Sequence, residues 1–319
     1  MIVTLTMNPS VDRTAQLPAP LVVGGVNRIA SVDDSPGGKG VNVARVVAAG
    51  GVEARAVFPA PPGDPFVTMC AASGVATSVV PATGGVRVNL TLADPDGTTT
   101  KINAPGPELD PATLERVRST VADLARDAQW VVLCGSVPRG VEADIYADLV
   151  TALRPVGARL AVDTSDAPLA ALAARLPDAA PDLVKPNGEE LGQLAGVDGA
   201  ELERRAARGD TAPVVAAARA LRDRGVGAVL VTLGGAGAVL VDDDETWFAN
   251  TPAVQVRSTV GAGDSALAGY LLAGARGLPP RDRLAWAVCH GSVAASLPGT
   301  GLPLGLDPAT FRPTLRRLD

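Results

Sequence analysis

A chain of 319 residues has room for one large α/β domain or two smaller ones, each with a sizeable core. With 47% hydrophobic, 19% charged and 3% aromatic residues, its composition excludes disorder and predicts a core of Ala, Val and Leu rather than rings. A net charge of −6 with no basic stripe argues against nucleic acid or a membrane surface as partner.

In chain order, "IVTLT" (2–6), closed by Asn8-Pro9, predicts a buried first strand. Residues 11–33 and 86–103 read as short alternating strands joined by turns, with "DPDG" as a hairpin signal, and together predict a small β lid. Such a lid exposes edges and an apolar face, so a homodimer through the lid is expected. "EARAVF", "WVVLC", "RLAVD", "DLVK" and "AVLVTLG" are mostly continuous apolar runs, suited to strands covered on both faces. Helical patterns occupy 111–127, 143–153, 212–224 and 264–275, several with acidic or proline-bearing starts. The alternation predicts an α/β fold: a doubly wound, mostly parallel sheet flanked by helices, in a single domain over 1–319 with the lid inserted. No apolar run reaches the roughly 20 residues that cross a bilayer, and "MIVTLTMNPS" lacks a signal peptide's features, so a cytoplasmic location is expected.

Cys70, Cys134 and Cys289 lie in apolar surroundings without metal-ligand spacing and read as buried thiols. Of the 28 basic residues only Lys39, Lys101 and Lys185 are lysines. In so arginine-rich a chain, the few lysines are candidates for work that needs a compact point charge. His290, the only histidine, reads as a packed helix residue.

Three stretches carry chemistry. In "STVGAGDS" (258–265), Gly261 and Gly263 permit a tight turn opening a helix, where the amides of Gly261, Ala262 and Gly263 form an anion site. Asp264 beside it is either a first-turn acid of that helix or a catalytic carboxylate. In "PGGKGVN", Gly37, Gly38 and Gly40 offer amides, Lys39 a cation and Asn42 an amide, a cradle for an anion or a polyol. "LVKPNGEE" by itself is a capped helix start, and Asp12 by itself a turn acid after the first strand. "SPGGKGVN" lacks the Walker A spacing, and "GAGDSA", although it satisfies G-x-G-x-x-G/A, sits too late in the chain for a dinucleotide fold.

As a set, "GGKGVNVA" (37–44), "KPNGEE" (185–190), "TLGGAGA" (232–238), "STVGAGDS" (258–265) and "GSVAASLPGTG" (291–301) resemble the PfkB family of ribokinase-like carbohydrate kinases over nearly the whole chain. Within the family, "TLTMNPSVDRT", "GGVRVNL" and "KINAPGP" are similar to the 1-phosphofructokinase and tagatose-6-phosphate kinase branches. The resemblance implies that Asp264 is the catalytic base and that Gly261 to Gly263 stabilise the transferred phosphoryl group. It assigns Asp12, Gly37, Gly38 and Asn42 to the sugar, and Arg87 with Lys39 to its distal phosphate. Lys185, Thr232, Gly234, Gly237 and Ser292 fall to ATP, and Asn187 with Glu190 to Mg²⁺ through water. Buried and unmatched, the Arg87 guanidinium would be poorly satisfied by a neutral sugar, which favours a sugar phosphate. The implied activity is ATP-dependent phosphorylation of a ketohexose phosphate, foremost D-fructose 1-phosphate to fructose 1,6-bisphosphate. Tagatose-6-phosphate kinase and 6-phosphofructokinase are the near alternatives, and a noncatalytic sugar-phosphate sensor the remote one. A monovalent cation requirement is left open. The chain departs from the family pattern at Pro61, within the Pro59–Pro62 stretch, where a glycine is usual.

Overall fold

The computed structural model describes residues 1–319, the side chain of Ala309 excepted. The chain begins β1 (Ile2–Thr6), β2 (Ser10–Gln16), β3 (Ser31–Gly37), α1 (Lys39–Ala49), β4 (Ala54–Ala60), α2 (Pro65–Ala72), β5 (Ala76–Pro81), β6 (Arg87–Ala93) and β7 (Thr99–Ile102). There follow α3 (Pro111–Ala125), β8 (Trp130–Cys134), α4 (Ile145–Leu153), β9 (Arg159–Asp163), α5 (Asp166–Ala174), β10 (Leu183–Val184), α6 (Gly188–Ala195), α7 (Gly199–Ala207) and α8 (Ala212–Asp223). The last part holds β11 (Val229–Thr232), β12 (Ala238–Val241), β13 (Thr246–Asn250), α9 (Ala262–Ala275), α10 (Pro280–Ser296) and β14 (Thr314–Arg317).

Ten strands form the main sheet in the order β14-β13-β12-β11-β10-β9-β8-β1-β4-β5. The run from β11 to β5 is parallel, and β12, β13 and β14 extend it as antiparallel strands. Alternate residues of β1 and β8 feed two separate cores. Ile2, Trp130, Val132 and Cys134 pack with α1, α9 and α10 on one face, whereas Val3, Leu5, Val131 and Leu133 pack with α3, α4 and α8 on the other. Burial on both faces is why these strands read as unbroken apolar runs.

A second sheet, ordered β3-β2-β6-β7, stands beside the first, with β6 and β7 joined at the "DPDG" turn. Its second strand starts later than the 11–33 reading placed it: residues 17–30 carry no regular strand, and β3 runs through Ser35 and Pro36 to Gly37. The reason is local. Pairing of Ser10 with Gly37 and Asp12 with Ser35 carries the strand to the glycines, where Gly38, at φ 103°, breaks it into α1. Likewise Pro59 belongs to the buried end of β4, and the turn begins only at Pro61.

Parallel order reverses around β1, with β4 on one side and β8 on the other, and the carboxyl ends of strands at such a reversal are where doubly wound sheets form a ligand crevice. One support of that crevice is the buried Tyr146 hydroxyl, which donates to the Cys134 and Gly135 carbonyls at 2.8 and 3.0 Å. Thr164 Oγ1 also donates to Gly135, at 2.8 Å. Tyr146→Phe is expected to cost about 1–2 kcal/mol of stability, read as a lower denaturant midpoint at unchanged slope.

Candidate active site

Asp264 stands in the first turn of α9, whose N-cap is Gly261 at φ 74°, and no side chain caps that helix. The carboxylate is therefore not spent on the helix amides. It accepts a 2.9 Å hydrogen bond from Asn42 Nδ2 on α1. Among the described residues no acceptor meets the amides of Gly261 and Gly263, while that of Ala262 reaches the Thr259 carbonyl at 3.4 Å. The turn thus presents free N–H groups at the positive end of a helix dipole, next to a carboxylate held by a separate element. Gly291 on α10 packs against the same turn, where an added Cβ would lie 3.3 Å from the Ala262 carbonyl.

Behind the turn lies a residue that the sequence motifs did not disclose. Asp163 closes β9 with its carboxylate fully buried, and its two oxygens meet Lys39 Nζ at 2.7 Å and Lys185 Nζ at 3.2 Å. Two of the three lysines in the chain thus converge on one acid, whereas Lys101 is exposed on β7. In the parallel register Val162 pairs with Val184, which sets Asp163 beside Lys185 at adjacent strand ends. A Cβ at position 263 would lie 3.2 Å from Lys185 Nζ, so Gly263 gives this ammonium access to the turn.

The charges shift one another. Burial and the neighbouring charge of Asp163 push the Asp264 carboxyl up to about 6, against the opposing pull of Lys39, the Asn42 hydrogen bond and Lys185. Asp163 is itself driven up by burial, yet Lys185 and Lys39 hold it below the ordinary carboxylate value. Burial disfavours the Lys39 charge, but Asp163, Asp264 and Glu190 more than offset this and hold its pKa above the usual ammonium range.

On the side of the smaller sheet, Asp12 Oδ1 accepts from Ser10 Oγ at 2.8 Å and from Asn89 Nδ2 at 3.2 Å. Burial raises its pKa despite these bonds and the charges of Arg87 and Arg45. Gly37 is required here, since a Cβ would sit 2.1 Å from Asp12 Oδ2. Arg87 Nη1 donates to the Ala104 carbonyl at 2.8 Å and Nη2 to the Asn8 carbonyl at 3.1 Å, while Nε is buried without a partner. Burial lowers its pKa, the charge of Asp12 opposes this, and the guanidinium stays charged.

Across the crevice, Asn187 and Glu190 form a reciprocal cap at the start of α6: Glu190 N–H donates to Asn187 Oδ1 at 2.8 Å, and Asn187 N–H to Glu190 Oε2 at 2.9 Å. The helix-cap reading of "NGEE" is thus correct, and it leaves Glu190 Oε1 uncommitted. Among the described residues no group of three or more His, Cys, Asp or Glu side chains could enclose a bare ion. One free carboxylate oxygen, with its charge felt at Lys39, fits a Mg²⁺ that keeps most of its waters and binds chiefly to phosphates. Thr232 lies beside this cap, bridged to Asn187. Gly237, at φ 112°, is demanded by the β11–β12 hairpin, because a Cβ would lie 2.3 Å from the Ala249 carbonyl; Gly234 borders open space. Ser292 on α10, next to Gly291, shares a 2.6 Å hydrogen bond with Thr251. His290 is buried and bonded to the Trp286 carbonyl, as a packed residue should be, and the three cysteines are buried free thiols.

A helix start with unpaired amides, an adjacent raised carboxylate and paired lysines, gathered beyond the carboxyl ends of parallel strands β9 and β10, make up a site suited to phosphoryl transfer. Residues 5–305 match the pfkB family of carbohydrate kinases. The 1-phosphofructokinase of Rhodobacter capsulatus is 40% identical over 299 residues, 92% of this chain and 90% of that protein. The 1-phosphofructokinase of Bacillus subtilis is 30% identical over 297 residues, 92% of each. Phosphofructokinase-2 from Escherichia coli, solved in complex with substrates and products, superposes with a TM-score of 0.86 at 31% identity over 97% of each chain. The same enzyme has been solved with fructose-6-phosphate, with potassium and in a tetrameric inhibited form. The chain belongs to the pfkB family of carbohydrate kinases. It is a sugar-phosphate kinase with the ATP and Mg²⁺ typical of that family, and none of its described helices is long and apolar enough to cross a membrane.

Asp163, Ser10, Asn89 and Asn8 were absent from the sequence-based set. For Asp163 a signal existed: "RLAVD" and "DLVK" are neighbouring strands that end in opposite charges. A carboxylate that must be ionised to accept a proton gives a rate that falls as pH drops through its pKa. If Asp264 is that acceptor, the acid limb of kcat is expected near pH 6, and Asp163→Asn, which removes a negative neighbour, should move that limb to lower pH. Initial-rate pH profiles of both proteins check this.

Proposed function

We propose that the chain transfers the γ-phosphoryl group of ATP to the 6-hydroxyl of D-fructose 1-phosphate, giving fructose 1,6-bisphosphate. One observation supports this above the rest: the Asp264 carboxylate is bonded to Asn42 rather than to its own helix, and Asn42 follows the glycines that seat Asp12, whose neighbour is the Arg87 guanidinium. A sugar lying along that path meets a phosphate-binding cation at one end and a proton acceptor at the other.

In this reading Asp264 takes the hydroxyl proton as the O–P bond forms, and the amides of Gly261, Ala262 and Gly263 stabilise charge on the migrating group. Asp12 accepts sugar hydroxyls, with Gly37, Gly38 and Asn42 lining the rest of the sugar, and Arg87 holds the distal phosphate; Lys39, expected there from the sequence, is instead tied to Asp163 at the Asp264 end and faces the transferred phosphoryl group. Lys185, Thr232, Gly234 and Gly237 face the nucleotide phosphates, and Ser292 the adenine side. Mg²⁺, held through water by Glu190 as Asn187 fixes it, supplies charge neutralisation at those phosphates. Potassium in the Escherichia coli relative supports a monovalent cation as a further cofactor.

Fructose 1-phosphate stands first because the relative at 40% identity is a 1-phosphofructokinase. Fructose 6-phosphate is the second reading, supported by the Escherichia coli enzyme's complex with it at 30% identity. Either substrate yields the same bisphosphate.

Residues 1–319 act here as one kinase domain with the smaller sheet as its lid, in a cytoplasmic protein whose free thiols suit a reducing compartment. Seven of the ten large exposed hydrophobics lie on this sheet and its 17–30 loop, among them Val23 at 92% and Val26 at 87% exposed, which supports pairing with a second copy through the lid. Sedimentation is expected to give a dimer for the native chain and a monomer for V23D/V26D; a native monomer rejects the pairing.

The kinase roles are tested by steady-state kinetics across fructose 1-phosphate, fructose 6-phosphate and tagatose 6-phosphate, in potassium and in tetramethylammonium salts. Fructose 1-phosphate should give the highest kcat/KM. Asp264→Asn should lower kcat by at least about a hundredfold with both KM values nearly unchanged. Arg87→Ala should raise the sugar-phosphate KM steeply while that for ATP barely moves. Near-normal turnover in the first variant, or equal KM changes in the second, would reject the assignments.

A further inference from the structure

Residues 103–108, between β7 and α3, form an irregular segment with prolines at 105 and 107, which have no N–H to donate. Among the described residues, two side chains alone hydrogen-bond to positions 104–107. Asn8 Nδ2 donates to the Pro105 carbonyl at 3.1 Å, and Arg87 Nη1 to the Ala104 carbonyl at 2.8 Å. Asn8 is 5% exposed, and its Nδ2 also reaches Ser136 Oγ at 3.4 Å. Its own carbonyl is the second acceptor of the Arg87 guanidinium, at 3.1 Å. Gly106, at φ 85°, allows the contact: a Cβ there would lie 2.2 Å from Asn8 Oδ1 and 3.4 Å from Arg87 Cδ.

We propose that Asn8 is a positioning residue for Arg87: its side-chain amide anchors the 104–107 segment to the end of β1 and so fixes both carbonyls between which the guanidinium is held. One carbonyl belongs to Asn8 itself, and the other is one residue from the carbonyl that Asn8 grips. With both fixed, the second N–H of each Nη is set in direction before a ligand arrives. Pre-setting matters because a guanidinium binds phosphate well only when its planar fork is aligned with two oxygens. Without the Asn8 amide, residues 104–107 would keep Arg87 as their one side-chain hydrogen-bond partner beside the packing of Pro107 against Gly84, and the arginine would follow the segment. Asn8 thereby sets affinity for the sugar's phosphate, a role that rests on the sugar-phosphate reading of the site.

The test is a double-mutant cycle of Asn8→Ala and Arg87→Ala, read on the ketohexose phosphate with the highest kcat/KM in the panel above. Asn8→Ala is expected to raise that KM about five- to twentyfold, with the ATP KM and kcat changed less than about threefold. In the Arg87→Ala background it should add almost nothing. A second readout needs no turnover: sugar phosphate alone should raise the melting temperature of the native chain and lose most of that effect in Asn8→Ala, whereas stabilisation by ATP–Mg²⁺ should persist. Equal changes in both KM values, no change, or a factor undiminished in the Arg87→Ala background would overturn the proposal. Should Asn8→Ala fail to fold, Asn8→Ser goes through the same cycle, and failure of both to fold would assign Asn8 to stability alone. If Arg87→Ala itself leaves the sugar-phosphate KM unmoved, the functional reading fails; if Arg87→Ala behaves as expected and Asn8→Ala does not, only the positioning role falls.

Discussion

The active-site region is organised around one buried carboxylate shared by two ammonium groups. Asp163 has no solvent contact, and a lone charge in that setting would be strongly disfavoured. Lys185, almost as deeply buried, would be equally costly without it. The acid and the two lysines therefore stabilise one another, and in doing so they bind β9, β10 and the start of α1 into one rigid corner. Their combined field reaches Asp264, which is raised by its burial and by the acid and pulled back by the lysines. Removing one partner would leave the others uncompensated, a larger penalty than the pair's net contribution to stability.

Glycine sets how closely the pieces approach. Gly37 lets the Asp12 carboxylate lie against the backbone, Gly263 opens the turn toward Lys185, and Gly106 admits Asn8. None of the three lies mid-helix, where its entropic cost would be felt along a hydrogen-bonded run. At each of the three, an added methyl would meet a neighbouring polar side chain, which would have to shift from its place in the site.

Much of the architecture was legible in the sequence because burial leaves a local trace. "IVTLT", "WVVLC" and "RLAVD" coincide with β1, β8 and β9, since the inner part of a strand covered on both faces is largely apolar. The antiparallel extension β12–β14 was not, as "AVLV" follows a glycine turn directly and "TLRR" is nearly all exposed, so neither shows a clear period. The glycine turn and Asp264 were found through a compact motif. Asp163 and Asn8 were missed because their meaning is relational: one depends on which strand lies next to β9, the other on a segment 97 positions away. The scarcity of lysine was a true signal for two of the three, and only the contact with Asp163 tells them apart from the third.

That scarcity has a practical side. Lys185 is enclosed and Lys39 is engaged with a carboxylate, so Lys101, on the outer strand of the smaller sheet, is the one lysine side chain standing open to reagents in the medium. Among the lysines, acylating dyes, biotin esters or an activated chip surface would accordingly meet Lys101 first, with the terminal amine of Met1 as the other open amine.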